Sequence, residues 1–99
     1  MKVNTQAVNF NANPQLLEFI QKRMDKLDLF YDKVIQTDVF LKVENTSDKE
    51  NKIVDIKLNI PVNDCVVKKQ CKTFEEGIML ATNSLKRQLA KKKDKLRAK

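Results

Sequence analysis

The sequence is poor in several residue types, and their scarcity excludes particular kinds of site. Its 99 residues include no histidine, no tryptophan, a single glycine, two prolines and two cysteines. Without histidine, the commonest general base and a frequent zinc ligand are both missing. The single glycine, Gly77, lies within a predicted helix, which excludes a phosphate-binding loop and a dinucleotide-binding turn. We therefore expect no catalytic residue, no metal, no cofactor and no small-molecule substrate.

Cysteine usage and hydropathy predict a reduced cytoplasmic protein. Cys65 and Cys71 fall in one predicted strand and would lie roughly 20 Å apart at the rise of a strand. That separation is beyond the reach of a disulfide, so both are expected to be apolar core residues in a monomer. No hydrophobic run approaches the roughly 18 residues of a membrane span, and the N-terminus lacks the apolar stretch of a signal peptide. We expect no membrane partner.

Hydrophobic periodicity predicts six elements in the order β-α-β-β-β-α. Residues that alternate between apolar and polar predict four strands: residues 2–10, 35–44, 54–60 and 65–72. Ile35, Thr37 and Val39 begin the expected buried face of the second strand. The resulting fold class is α+β, a two-layer sandwich in which two helices cover one face of a four-stranded sheet. The first helix would serve as the crossover between strands one and two, which makes that pair parallel.

Both helices have sequence signals at their N-termini and an apolar stripe. Asn13 and Pro14 predict the start of the first helix, and a Thr73–Glu76 capping box predicts the start of the second. The first helix is expected to end near residues 29–32. Its stripe is Leu16, Ile20, Met24, Leu27 and Tyr31. The stripe of the second is Ile78, Ala81, Leu85, Leu89 and Leu96. We read the whole chain, residues 1–99, as a single domain.

The net charge of +7 is concentrated at one end of the chain. Residues 86–99 contain eight basic side chains and one acid, whereas the first 85 residues are balanced. On a helical wheel, the last helix carries two basic rows on either side of its apolar stripe. The rows are Lys86, Lys93 and Arg97 on one side and Arg87, Lys91 and Lys95 on the other. A basic helix end of this kind predicts a polyanionic partner.

The first helix separates its charges by sign. Lys22, Arg23 and Lys26 lie on one flank. Glu18, Asp25 and Asp28 lie on the other. If the basic flank faces the second helix, the two helices form one positive surface that suits nucleic-acid phosphates. A solvated or protein-binding face and an anionic membrane stay open as alternatives. Few exposed aromatic residues are available to stack on bases, which favours structured RNA over single strands.

Three stretches of the sequence resemble a known family, the ribosome hibernation promoting factors or ribosome-associated inhibitors. The stretch from Leu85 to Leu96 is similar to the family pattern L-x-R-Q-L-x-K-x-K-x-K that ends the last helix. Residues 30–35 and 41–44 are similar as well. Early in the last helix, family members often have a tyrosine and an Ile-Asp pair where this chain has Glu75, Ile78 and Met79.

The resemblance implies a function and a set of RNA contacts. It implies a fold related to double-stranded-RNA-binding domains and binding to rRNA of the small ribosomal subunit, in the mRNA and tRNA channel. Translation would thereby be inhibited in resting, stationary-phase or stressed cells. The chain ends at Lys99, as expected for the short form that lacks a ribosome-pairing domain. The implied contacts are Lys22, Arg23, Lys26, Lys86, Arg87, Lys91, Lys93 and Lys95. The alternatives are a basic protein-interaction module and a general double-stranded-RNA-binding protein.

Overall fold

The element order is β-α-β-β-β-α, as predicted. The structure, a computed structural model, describes residues 2–8, 10–44, 51–61 and 64–97, with the side chains described as far as residue 93. The elements are β1 (Lys2–Val8), α1 (Pro14–Phe30), β2 (Gln36–Val43), β3 (Lys52–Asn59), β4 (Cys65–Cys71) and α2 (Phe74–Arg97). The predicted polar connection at residues 45–50 lies outside the described residues.

The four strands form one mixed sheet in the order β1-β2-β3-β4. β1 pairs with β2 in parallel, whereas β2 with β3 and β3 with β4 are antiparallel. α2 packs on β3 and β4, and α1 packs beside α2 and against β1. The predicted α+β fold with two helices on one sheet face is confirmed. No helix of the described residues covers the opposite face of the sheet, which we call the outer face.

The predicted caps form at both helix starts. Leu16 N donates to Asn13 Oδ1 over 2.7 Å, and Pro14 occupies the first turn of α1. Glu76 N donates to Thr73 Oγ1 over 3.1 Å at the start of α2. Because these side chains satisfy amide groups that have no partner within the helix, they fix where each helix begins.

The predicted apolar stripes form the core. All five stripe residues of α1 are buried. In α2, Ile78, Ala81, Leu85 and Leu89 are fully buried, whereas the side chain of Leu96 lies outside the described part of the chain. The inner face of the sheet meets them with alternate residues of β2 and β3, including Val39 and Ile56. One continuous core therefore joins both helices to the sheet.

Ile35 departs from the predicted buried face. Its side chain is 58% exposed, and β2 begins one residue later. The preceding residue, Val34, is buried instead, which shows that the strand alternation does not extend to the connection from α1. Ile35 N still donates to Asn59 O over 2.9 Å. Its backbone therefore continues the pairing with β3 while its side chain lies outside the core.

The first strand is two residues shorter than predicted. β1 ends at Val8, and Phe10 lies beyond it. The Phe10 ring stacks on the Phe74 ring with centroids 4.7 Å apart and planes 10° from parallel. Aromatic stacking of this kind adds stabilisation to the apolar area that is buried. Phe10 therefore attaches the end of β1 to the start of α2 rather than continuing the sheet.

Cys65 and Cys71 are buried thiols at the two ends of β4, as predicted. Burial raises the pKa of the Cys65 thiol, and the nearby Asp64 carboxylate adds to that shift while Lys92 opposes it. A raised pKa keeps Cys65 in the weakly reactive thiol form. Both residues serve as small apolar components of the core.

Gly77 permits α2 to approach β3 closely. A Cβ atom at Gly77 would lie 2.7 Å from Val54 Cγ2 and 3.5 Å from Val54 Cβ. Gly77→Ala should therefore destabilise the fold by about 1–2 kcal/mol, because overpacking outweighs the gain in helix propensity. Urea denaturation measures the change. In a Val54→Ala background, which supplies room, the same substitution should be neutral or stabilising. A higher midpoint for Gly77→Ala alone would contradict the close packing.

Candidate nucleic-acid interface

α1 and α2 lie side by side and run in the same direction. Two hydrogen bonds join them at successive levels. The Arg23 guanidinium donates to Thr82 Oγ1 over 3.2 Å, and Lys93 Nζ donates to the Phe30 carbonyl over 2.8 Å. The basic flank of α1 thus faces α2, which is the arrangement in which the sequence predicts a common positive surface.

A cleft of about 230 Å³ opens between the two helices. Its lining residues are Arg23, Lys26, Leu27, Phe30, Thr82, Asn83 and Lys86. Three of them are cationic and none is acidic. Leu27 is only 4% exposed and so lies at the base of the cleft, whereas Lys26 and Lys86 are exposed. The cleft therefore combines an apolar base with positively charged walls.

The lining of the cleft contains three cations and no acid. Two ion pairs among the described residues, Lys22 with Glu18 at 3.4 Å and Lys57 with Asp64 at 3.7 Å, lie outside this lining. With like charges close together, the cleft presents a local positive potential to an approaching anion.

The Phe30 ring lies beneath two lysines of α2. Lys93 Nζ is 4.3 Å from the ring centroid and Lys86 Nζ is 5.3 Å from it, both within cation-π range. Lys93 also donates to the last carbonyl of α1, where a positive charge complements the helix dipole. Its ammonium group is therefore held by the fold, whereas that of Lys86 projects into the cleft.

The structure separates the eight predicted contact residues by position. Arg23, Lys26 and Lys86 meet in the cleft, and Lys93 lies beside Phe30 at one end. Arg87 and Lys91 are exposed and stand outside the cleft lining, one helical turn apart on the second basic row. The Lys95 side chain lies outside the described residues, so its predicted role stays a prediction.

Lys22 is less available to bind an anion than its place on the basic flank of α1 suggests. It lies one turn from Glu18, and their charged groups pair across 3.4 Å at the exposed surface. Exposed pairs of this type are weak, so an anion competes readily for the lysine. Its charge is nevertheless partly compensated within α1.

The sequence predicts no site role for four residues that line the cleft. They are Leu27, which was expected only in the core, and Phe30, Thr82 and Asn83. Thr82 accepts the hydrogen bond that holds Arg23 in place. Helical spacing could have placed Phe30 in the cleft, because Phe30 lies seven residues after Arg23 on the same flank of α1. The signal for Thr82 was weaker, since its contact with Arg23 depends on the relative placement of the two helices.

We expect the ammonium group of Lys93, which is partly buried, to contribute to the stability of the fold. Lys93→Met keeps the aliphatic chain but removes the ammonium group, and should cost about 1 kcal/mol through loss of a charged, partly exposed hydrogen bond. Lys91→Met, at an exposed position, should change the free energy of unfolding by less than about 0.5 kcal/mol. Thermal denaturation compares the two. Equal stability of both variants would show that the bond to Phe30 contributes nothing.

Among residues 2–8, 10–44, 51–61 and 64–97, no group of three or more His, Cys, Asp or Glu side chains could hold a metal ion. No helix in the same ranges is long and apolar enough to cross a membrane.

Two curated proteins are similar in sequence over all or nearly all of this chain. The ribosome hibernation promotion factor of Bacillus subtilis (strain 168) is 29% identical over 101 residues, which cover 100% of this chain and 52% of that protein. The chain therefore spans about half the length of that relative. The ribosome hibernation promoting factor of Klebsiella oxytoca is 29% identical over 97 residues, or 98% of each chain.

Solved structures share the fold at low sequence identity. A ribosomal subunit interface protein from Coxiella burnetii superposes with a TM-score of 0.83 at 19% identity, covering 95% of this chain and 99% of that one. The N-terminal domain of Thermus thermophilus Protein Y gives a TM-score of 0.75 at 17% identity, covering 89% and 94%. These two superpositions establish the fold.

The family described as Sigma 54 modulation protein / S30EA ribosomal protein matches residues 3–97. This match extends from the second residue of β1 to the last described residue of α2. It confirms the family resemblance that the basic end of the last helix and the two shorter stretches indicate. Because the match covers nearly the whole sequence, the chain belongs to the Sigma 54 modulation protein / S30EA ribosomal protein family.

Proposed function

We propose that this chain binds rRNA of the small ribosomal subunit through the surface formed by α1 and α2, and so inhibits translation. The observation that carries the proposal is the convergence of Arg23, Lys26 and Lys86 from two helices, in a member of this family. Residues 1–99 act as one ribosome-binding domain, whose basic end is residues 86–99. The names of the two curated relatives, both ribosome hibernation factors, support this proposal.

The physical basis of binding is neutralisation of phosphates. Lysine and arginine side chains that contact nucleic-acid phosphates release condensed counterions, and this release favours binding. The cleft and the exposed row of Arg87 and Lys91 offer contacts at separate places on the same helical layer. Contacts that are fixed in relative position favour a structured RNA of matching shape over a flexible single strand.

In this proposal, translation is inhibited because the chain occupies a site on the small subunit, and no catalysed reaction is involved. A domain bound in the mRNA and tRNA channel of the small subunit would block both ligands sterically, in the cytoplasm of resting, stationary-phase or stressed cells. No step in this proposal needs a general base, a metal or a cofactor. We accordingly propose that the chain is not an enzyme and that its activity is measured by binding and by inhibition of translation.

The first experiment measures co-sedimentation of the purified chain with small subunits, large subunits and free duplex RNA as competitor. The proposal requires preferential binding to small subunits and weak competition by the duplex. Equal competition by duplex RNA would favour a general double-stranded-RNA-binding protein. Binding that persists at high salt without a salt dependence would favour a basic protein-interaction module instead.

A second experiment tests the position on the subunit. Small subunits loaded beforehand with mRNA and initiator tRNA should bind the chain more weakly than empty subunits, because the ligands and the chain would occupy the same channel. Unchanged binding would reject the channel as the binding position while leaving ribosome association intact.

Light scattering of the free protein should give the mass of a monomer, since neither partner nor ligand is required to complete the described core.

A further inference from the structure

The cleft between α1 and α2 differs from an ordinary group of surface lysines, because one of its cations is oriented by the fold. Arg23 donates to Thr82 Oγ1, and the Thr82 hydroxyl donates in turn to the Met79 carbonyl over 3.0 Å. Thr82 is only 4% exposed. A chain of two hydrogen bonds therefore fixes the guanidinium at the wall of the cleft while leaving its other N–H groups available.

The remaining donors surround the same space from both helices. Lys26 lines the cleft from α1, and Lys86 and Asn83 line it from α2. Lys86 is further restrained by its position over the Phe30 ring. Because no acidic side chain lines the cleft, every charged group that faces it favours an anion.

The size and the donor set select the class of anion. The volume of about 230 Å³ accommodates a group larger than a halide ion. Several N–H donors that line one cleft suit a tetrahedral oxyanion that has several acceptor oxygens, and a guanidinium binds such oxygens in pairs. A phosphate arranges its oxygens tetrahedrally around one centre, whereas the two oxygens of a carboxylate lie in one plane. The arrangement therefore suits a phosphate better than a carboxylate.

We propose that the cleft is a discrete binding pocket for one phosphate group, held by Arg23, Lys26, Lys86 and Asn83. Two sources share this chemistry: a backbone phosphate of RNA and a free phosphorylated anion. The RNA source rests on the proposed function, whereas binding of a free anion does not. If both sources use the pocket, a free phosphorylated anion competes with the ribosome for the chain.

The first arm of the test uses inorganic pyrophosphate and isotope-labelled protein at constant ionic strength, observed by NMR. The amide signals of residues 23–30 and 82–86 should shift saturably. Replacing Lys26 and Lys86 together by glutamine should weaken binding by at least about tenfold, as expected for lost charged hydrogen bonds. The matched control, Arg87→Gln with Lys91→Gln, removes two charges outside the cleft and should stay within about twofold of the unchanged protein.

The Thr82→Val variant distinguishes an organised pocket from attraction of the anion by net positive charge alone. This variant keeps the net charge and the side-chain volume but removes the hydroxyl that orients Arg23. It should weaken pyrophosphate binding by about threefold to tenfold. Equal losses in the cleft and control variants, no loss in Thr82→Val, or linear shifts over the whole basic surface would each overturn the pocket.

The second arm measures whether pyrophosphate, at the same ionic strength and the same free Mg²⁺ concentration, displaces the chain from small subunits. Displacement shows that the pocket takes an RNA phosphate. Pyrophosphate binding without displacement supports a pocket for a free anion. If the chain does not bind subunits and still binds pyrophosphate, the proposed function fails and the pocket stands. Absence of saturable pyrophosphate binding overturns the pocket even where ribosome binding is intact.

Discussion

Replacing Lys26, Lys86, Arg87 and Lys91 together by alanine should lower the affinity for small subunits by roughly 100-fold or more near physiological salt. The expectation follows from the loss of up to four phosphate contacts, each of which contributes about 0.7–0.9 to the slope of log K against log salt concentration. The slope should flatten accordingly. Arg23 and Lys93 are left in place because both form hydrogen bonds between the helices. Loss of binding therefore reports on contacts and not on unfolding.

The outer face of the sheet supplies a control of equal charge. Lys2, Lys42, Lys57 and Lys68 are all exposed there, on the side of the sheet opposite to the helices. Replacing these four by alanine removes the same net charge and should change the affinity by much less. In a translation reaction, the helix variant should lose inhibition and the sheet variant should retain it. Equal losses of affinity and inhibition in both variants would show that the chain binds RNA non-specifically, as a polycation.

Leu85→Ala should destabilise the chain by roughly 2–5 kcal/mol, the range for a large-to-small change in a packed core. Leu85 is fully buried where α2 meets the sheet. Chemical denaturation measures the change. The control is Leu80→Ala on the same helix, where the side chain is 44% exposed and the cost should be below about 1 kcal/mol. A midpoint for Leu85→Ala equal to that of the unchanged protein would show that α2 does not pack as described.

The fold was predictable because its signals are local. Leu16, Ile20 and Met24 recur with helical spacing, and all three lie in the core. The caps at Asn13 and Thr73 are equally local, since each side chain bonds an amide three residues ahead. Such features depend on a few neighbouring residues and on the period of the element, and both can be read from a single sequence.

The errors in the predicted fold occur where an element ends. In the sequence, Ile35 continues the apolar–polar alternation of β2, yet in the structure Val34 occupies the core and Ile35 is exposed. Phe10 reads as the end of β1 but stacks on Phe74, which lies 64 residues away in the sequence. Both outcomes depend on contacts between distant segments, and the alternation of a short strand carries no information about them.

The candidate site was only partly predictable for the same reason. The wheel of α1 places Arg23 and Lys26 on one flank, and the structure turns that flank towards α2. Helical spacing does not reveal that Lys93 donates to the Phe30 carbonyl, because that bond depends on the relative placement of the two helices. The family resemblance therefore implies that Lys93 contacts RNA in the same way as Arg87 and Lys91, although its ammonium group is already bound within the fold.

The most direct test of ribosome binding through the helical layer is an electron cryomicroscopy structure of this chain on the small subunit. We predict that α1 and α2 face rRNA in the mRNA and tRNA channel, with a phosphate in contact with Lys26 or Lys86 and the outer face of the sheet directed away from the RNA. A complex in which the outer face contacts the RNA, or in which the chain lies outside the channel, would contradict the account.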